Sequence, residues 1–222
     1  MSFISVFDVL GPNMIGPSSS HTAGAAVIAY LAQKMLGGKL VKVAFTLYGS
    51  FAKTYKGHGT DRALVGGILG FFTDDVRIRD AFRLAEEQGL DIAFHVDETE
   101  SDVHPNTVDV DMENQDGHKM AIRGESLGGG KVRITRINQV EVDFSGEYSA
   151  VIVVHQDVRG VAAHITKALS DNNVNIAFMR LFREKKGQTA YTIVEVDGAV
   201  PEELASELRE NDHVRDVMLV QL

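Results

Sequence analysis

The chain has 222 residues, 44% hydrophobic and 24% charged, an ordinary globular balance with length enough for two domains. Its formal net charge of −9 excludes the basic footprint of a nucleic-acid binder, and no apolar run approaches the roughly 18 residues of a membrane helix. With no cysteine in the chain, disulfides, thiolate nucleophiles and cysteine-ligated metals are excluded, so any iron–sulfur centre must come from another polypeptide.

The opening Met1-Ser2-Phe3-Ile4-Ser5-Val6 has neither a basic start nor a small-residue cleavage site, which predicts a cytoplasmic protein. Next comes Gly16-Pro17-Ser18-Ser19-Ser20-His21-Thr22, directly before an apolar segment, residues 25–36, that ends at Gly37-Gly38 and reads as a buried helix. A helix N-terminus offers unpaired N–H groups and partial positive charge, which suit a substrate carboxylate; three serines add hydroxyls there. The same potential disfavours a protonated His21 and keeps it available as a general base. The plainer reading is that Ser20 or Thr22 caps the helix.

Residues 40–47 read as a strand. Gly57-His58-Gly59-Thr60-Asp61 then sets a second histidine before a helix start, between glycines that permit close approach by a ligand. Thr60 or Asp61 is the expected cap of a helix over 61–69, and an amphipathic helix follows over 79–88. Two such histidines, one neutral and one protonated, suit removal of an α-proton with loss of a leaving group.

From residue 91 the pattern changes to period two, over 92–96, 107–112, 119–123 and 131–142. Helices first and strands later predict an α+β front domain of mixed helices and antiparallel sheet, residues 1–145. His104-Pro105-Asn106-Thr107 is a rigid turn between strands. Glu125-Ser126-Leu127-Gly128-Gly129-Gly130-Lys131 lacks the first glycine and the final Ser/Thr of a nucleotide loop, so a flexible loop lining a site is expected instead. His21, His58, His95, His104 and His118 include no helical ligand spacing, so no metal is expected on this chain.

The second domain, residues 147–222, reads as strand (148–154), helix (161–169, ended by Asp171-Asn172-Asn173), strand (175–182), hairpin, strand (190–196), helix (opened by Pro201) and strand (214–222). That order, βαββαβ, is the ferredoxin-like split unit. Between the first strand and helix, Asp157-Val158-Arg159-Gly160 is a loop whose following N–H groups suit a carboxylate, and unpaired edge strands favour pairing between copies.

Together the segments at 16–22, 57–61, 104–107 and 126–130 resemble the β chain of bacterial iron–sulfur-dependent L-serine dehydratase. The C-terminal module resembles an ACT domain, a regulatory fold that binds amino acids between paired copies. The resemblance implies one subunit of a two-chain L-serine ammonia-lyase that makes pyruvate and ammonia. A partner α chain would supply the cysteines of a 4Fe-4S cluster, whose open iron acts as a Lewis acid on the serine hydroxyl. It further implies His21 and His58 as catalytic acid and base, with Ser18, Ser19, Ser20, Thr22 and Asp61 binding substrate. Asp157, Gly160 and Asn173 are the implied effector contacts, although the loop lacks the proline of many ACT loops. The front domain also resembles the serine-binding regulatory domain of some phosphoglycerate dehydrogenases, which implies a non-catalytic sensor as the alternative. A stand-alone serine hydrolase is disfavoured, because no Gly-x-Ser-x-Gly elbow is present.

Overall fold

The computed structural model describes residues 13–221; residues 1–12, where the expected front domain begins, and Leu222, the expected last strand residue, lie outside them. The chain divides into two compact units between Thr135 and Arg136. In the first, a π-helical turn, Ser19–Gly24, runs without a break into α1 (Ala25–Leu36). Then come β1 (Leu40–Tyr48), α2 (Gly49–Thr54), α3 (Thr60–Ile68), a 3-10 turn (Val76–Asp80) and α4 (Ala81–Glu87). The strands β2 (Asp91–Asp97), β3 (Thr107–Asn114) and β4 (Lys119–Gly128) follow; β5 (Lys131–Ile137) straddles the division and β6 (Val140–Phe144) lies past it, and the hydrogen-bonded strand order is β2-β1-β3-β4-β5-β6.

β1 is the pivot of this sheet. Phe45 pairs with Val110 of antiparallel β3 on one side and with Phe94 of parallel β2 on the other. A parallel neighbour needs a long crossover, and α2, α3 and α4 supply it. Period-two spacing cannot distinguish the two senses of pairing, so the expectation of an antiparallel sheet becomes a mixed one at β2.

α1 reads as apolar all round because it is enclosed. Ala25, Ile28, Ala29, Leu31 and Ala32 are wholly buried. On one side α1 meets β4, where a Cβ on Gly124 would lie 2.4 Å from Ile28. On another it meets α3, where a Cβ on Gly67 would fall 2.3 Å from the carbonyl oxygen of Ala26. The glycine in α3 therefore buys close helix–helix approach that repays its poor propensity.

Beyond β6, the second unit contains β7 (Ser149–Gln156), α5 (Val161–Asp171), β8 (Asn175–Arg183), β9 (Thr189–Asp197), α6 (Glu203–Leu208) and β10 (Val214–Val220). Its sheet runs β10-β7-β9-β8, with every adjacent pair antiparallel. Val161, Ile165 and Leu169 of α5 and Leu204 and Leu208 of α6 pack on Val151, Val153, Val194, Val196 and Val217. Each such side chain contributes roughly 1.5–3 kcal/mol on burial, which is why two short helices suffice to cover the sheet. Every element expected here is present, with ends within one to three residues of the reading.

Two expectations for residues 125–142 need correction. The run 125–128 is not a flexible loop: it is the end of β4, with Ser126 wholly buried. The period-two stretch 131–142 is two strands, parted at Asn138, whose φ is +53°. The helix α2 was not expected at all, since six residues are too few to show a period.

Candidate functional site

The serine run forms a turn of unusual geometry. Ser18, extended at φ −140° and ψ 125°, precedes it and accepts the backbone N–H of His21 on its hydroxyl at 3.2 Å. Ser18, rather than Ser20 or Thr22, is thus the cap. Its carbonyl accepts N–H groups from Thr22 at 2.8 Å and, five residues on, from Ala23 at 3.4 Å, the widened ring of a π turn. The turn is held from outside by Ser126 of β4, whose buried hydroxyl donates to the carbonyl of Ser20 at 2.9 Å. Gly24 is the residue that permits this: a Cβ there would come 1.9 Å from the Ser126 Oγ.

His21 stands in this turn with both ring nitrogens on hydroxyls. Nδ1 lies 3.1 Å from Ser20 Oγ and 3.3 Å from Ser18 Oγ, and Nε2 lies 2.9 Å from Ser50 Oγ. The ring meets the edge of Phe51 at 5.4 Å and of His58 at 4.8 Å, the two imidazoles crossing at 81°. Burial, and then the second imidazole, hold the pKa of His21 below the ordinary histidine value. A neutral His21 was expected, but from the helix N-terminus; desolvation and His58 are the causes.

His58 is exposed and sits between Gly57 and Gly59, the latter at φ +71°. Its backbone carbonyl accepts the hydroxyl of Thr22 at 3.2 Å, which ties the two motifs together. The residue before α3 is Gly59, with no side-chain cap, so neither Thr60 nor Asp61 has the expected capping role. Thr60 is wholly buried and its hydroxyl has no partner among the described residues. The Asp61 carboxylate accepts the N–H of Arg62 at 2.8 Å, and burial raises its pKa.

Among the described residues, two cavities border these motifs. One, of about 550 Å³, is lined by Gly16, Thr22, His58, Asp61, Arg62 and Arg79 among others. The other, of about 540 Å³, is lined by Ser50, Lys53, Asp97, Glu98, Glu100 and Pro105 among others. Of the expected residues, Thr22, His58 and Asp61 line the first cavity, while Ser18, Ser20 and His21 meet one another in the turn, where the His21 ring contacts that of His58. Ser19 shares the turn, but its hydroxyl makes no hydrogen bond to the described residues.

Two contributors were not singled out as site residues, Ser50 and Ser126. Gly49, at φ +51°, ends β1 and starts α2, and its missing side chain admits Pro105, whose carbonyl would lie 2.7 Å from a Cβ. That carbonyl accepts N–H groups from Ser50 at 2.6 Å and Phe51 at 3.3 Å, fixing the turn that carries Ser50. Strand–Gly-Ser–helix at 47–51 was the available signal.

In the second unit, the Asp157 carboxylate accepts the N–H of Gly187 at 3.0 Å and Arg183 Nη1 at 3.1 Å, and these hold its pKa low. Gly160 precedes α5 at φ +95°, and Asn173 follows it at φ +56°. Asp157 is thus engaged with the β8–β9 hairpin. Among the described residues no group of three or more His, Asp or Glu side chains is arranged to hold a metal.

Comparison with known proteins matches residues 5–90 to the family described as serine dehydratase beta chain, and residues 149–213 to the ACT domain. The "Probable L-serine dehydratase, beta chain" of Bacillus subtilis is 43% identical over 94% of this chain and 94% of its own length. The "L-serine dehydratase, beta chain" of Peptoniphilus asaccharolyticus is 41% identical over 93% of each. A D-3-phosphoglycerate dehydrogenase of Bacillus subtilis is 27% identical over 89% of this chain but only 37% of the relative.

Proposed function

The chain belongs to the family of L-serine dehydratase beta chains, and on that premise we propose that it is the beta subunit of a two-chain cytoplasmic lyase converting L-serine to pyruvate and ammonia. The observation that carries the reading is the imidazole pair: His21 and His58, 37 positions apart in sequence, meet at 4.8 Å, with the hydroxyls of Ser18, Ser20 and Ser50 on the ring nitrogens of His21.

The residues of this chain do not fit an iron–sulfur cluster, since there is no cysteine and no metal-holding group among the described residues. The cluster ligands would then belong to an α chain, where the cluster would supply Lewis acidity toward the substrate hydroxyl. What this chain contributes is proton handling and orientation. His21, kept neutral by burial, is suited to accept a proton, and exposed His58 is placed to exchange one with a ligand. Ser18 and Ser20 set the His21 ring, and Thr22 holds the backbone of His58. Asp61 lines the same cavity as His58 and would orient substrate, and Ser19 adds a free hydroxyl in the turn. In the ACT module, effector contacts at Asp157, Gly160 and Asn173 and pairing between copies complete the reading.

The test is co-expression with the α chain and a pyruvate assay on L-serine. Turnover should require both chains and fall about 100-fold or more in His58→Ala, within the range of general acid–base effects. Turnover untouched by both His21→Ala and His58→Ala would leave the chain a sensor and end the catalytic assignment.

A further inference from the structure

We propose that Ser50 is a proton relay: it is the open end of a chain of hydroxyls through which His21 reaches a ligand in the second cavity, beside α2, rather than the one lined by His58 and Asp61. This rests on the lyase reading for the nature of the ligand, a small amino acid, but its geometry is independent of it.

The case begins with what surrounds His21. Both of its ring nitrogens are within hydrogen-bond distance of hydroxyls, and among the described residues no carboxylate is hydrogen-bonded to it. Ser18 and Ser20 lie 3.4 Å apart on the Nδ1 side, so the groups form a continuous line from Ser18 through Ser20 and the imidazole to Ser50. The two neutral tautomers run this line in opposite directions. With the ring proton on Nε2, Ser18 donates to Ser20, Ser20 to Nδ1 and Nε2 to Ser50, which leaves the Ser50 hydrogen free to donate onward. With the ring proton on Nδ1, that nitrogen donates to Ser20, and Ser50 donates to Nε2, which leaves the Ser50 oxygen free to accept. Each arrangement leaves one hydroxyl hydrogen over, so they are close in energy by hydrogen-bond count, and a ligand at Ser50 decides between them.

Ser50 is the member of the line that lines the 540 Å³ cavity, while His21 itself lines neither cavity. Its Oγ has no other hydrogen bond among the described residues. Its backbone is fixed by the Pro105 carbonyl and by Thr54, whose hydroxyl donates to the Ser50 carbonyl at 2.8 Å. A hydroxyl held this firmly, bonded on one side and open on the other, passes protons without moving. In the transfer, an O–H or N–H proton of the ligand attaches to Ser50 Oγ as the Ser50 hydrogen passes to Nε2. The ligand ends one proton poorer and His21 becomes an imidazolium; nothing is oxidised. Asp97, Glu98 and Glu100 stand in the wall against Lys53; Glu100 is already paired with Arg123, so Asp97 and Glu98 leave the lining the net negative sign that suits an ammonium-bearing ligand.

The isosteric pair Ser50→Thr and Ser50→Val tests it, since only the first keeps a hydroxyl. In the 15N-labelled full chain, the His21 ring nitrogen shifts report the tautomer: Thr should match wild type, and Val should change the tautomer balance of His21 while leaving His58 unchanged. In the two-chain enzyme, Val should lower kcat about 10-fold or more with KM within about 2-fold, and Thr should restore most of it. Identical His21 shifts in wild type and Val, or equal kcat in Thr and Val, would overturn the relay. If the wild-type pair fails to turn over L-serine, the lyase reading fails, while the nitrogen shifts still decide whether Ser50 governs His21.

Discussion

Replacing Gly24 with alanine puts two effects in opposition. Gly24 has ordinary helical angles, φ −61° and ψ −40°, so alanine there would relieve the conformational freedom of the unfolded glycine by about 0.5–1 kcal/mol. Against that, the new Cβ would fall 1.9 Å from Ser126 Oγ and 2.6 Å from Ser126 Cβ, so β4 or the π turn must shift. Overpacking costs about 1–3 kcal/mol, and losing the 2.9 Å bond from Ser126 to the Ser20 carbonyl adds roughly 1 kcal/mol. Steric conflict wins, by a net loss of about 1–3 kcal/mol. Urea unfolding of the full chain, followed at several probes, measures it, and Gly24→Ala combined with Ser126→Gly should recover the packing part. Ser126→Ala alone should not rescue, because its Cβ remains within 2.6 Å. A Gly24→Ala chain as stable as wild type or more so would refute the reasoning, since propensity would then outweigh the contact.

Other outcomes follow from the same geometry. Lowering pH should destabilise wild type more than His21→Gln: the folded pKa of His21 is depressed, so the unfolded chain binds its proton first and stability falls as pH drops through the ordinary histidine range, levelling off below the folded value. The reverse holds at Asp61, where the raised pKa makes the folded state lose stability as pH rises through the carboxylate range; Asp61→Asn should narrow that loss in melts at pH 3 to 7. Arg123, whose side chain is 12% exposed, holds Asp109 by two bonds of 2.6 and 2.8 Å and also meets Tyr48 and Glu100; burial, and then the hydrogen bond to Asp109, push the Tyr48 hydroxyl up to about 12 against the opposing charge of Arg123. Arg123→Ala should cost about 3 kcal/mol, with Asp109→Asn in the same chain returning part of it in a double-mutant cycle. Ser126→Ala should lower kcat in the two-chain enzyme through the unpinned turn, with Ser126→Thr a poor rescue because Gly24 leaves no room; equal activity of the alanine variant would remove Ser126 from the site.

How legible each part was in the sequence varied with how local its cause is. The second unit could be read almost element by element, because Val161, Ile165 and Leu169 repeat on one helical face and the strands are bounded by Asn173 and by the 185–188 tip. The histidine motifs stood out for a similarly local reason: a histidine beside small residues ahead of a helix is visible without neighbours. Missing were the supports. Ser126 looked like part of a flexible glycine loop, since nothing near it in sequence reveals that its hydroxyl meets Ser20, 106 residues earlier. Ser50 sits in a helix too short to show a period.

Length, charge and the lack of cysteine fixed the broad class of the chain, and hydrophobic period fixed most helices and strands, because those are one-body preferences of each residue for water, apolar surroundings or a backbone angle. Tertiary structure alone decided that β2 joins parallel, that His21 and His58 touch, and that one imidazole is bracketed by Ser20 and Ser50. Those are pairwise facts between residues tens of positions apart, set by which glycine lets which element approach, and no single position carries them.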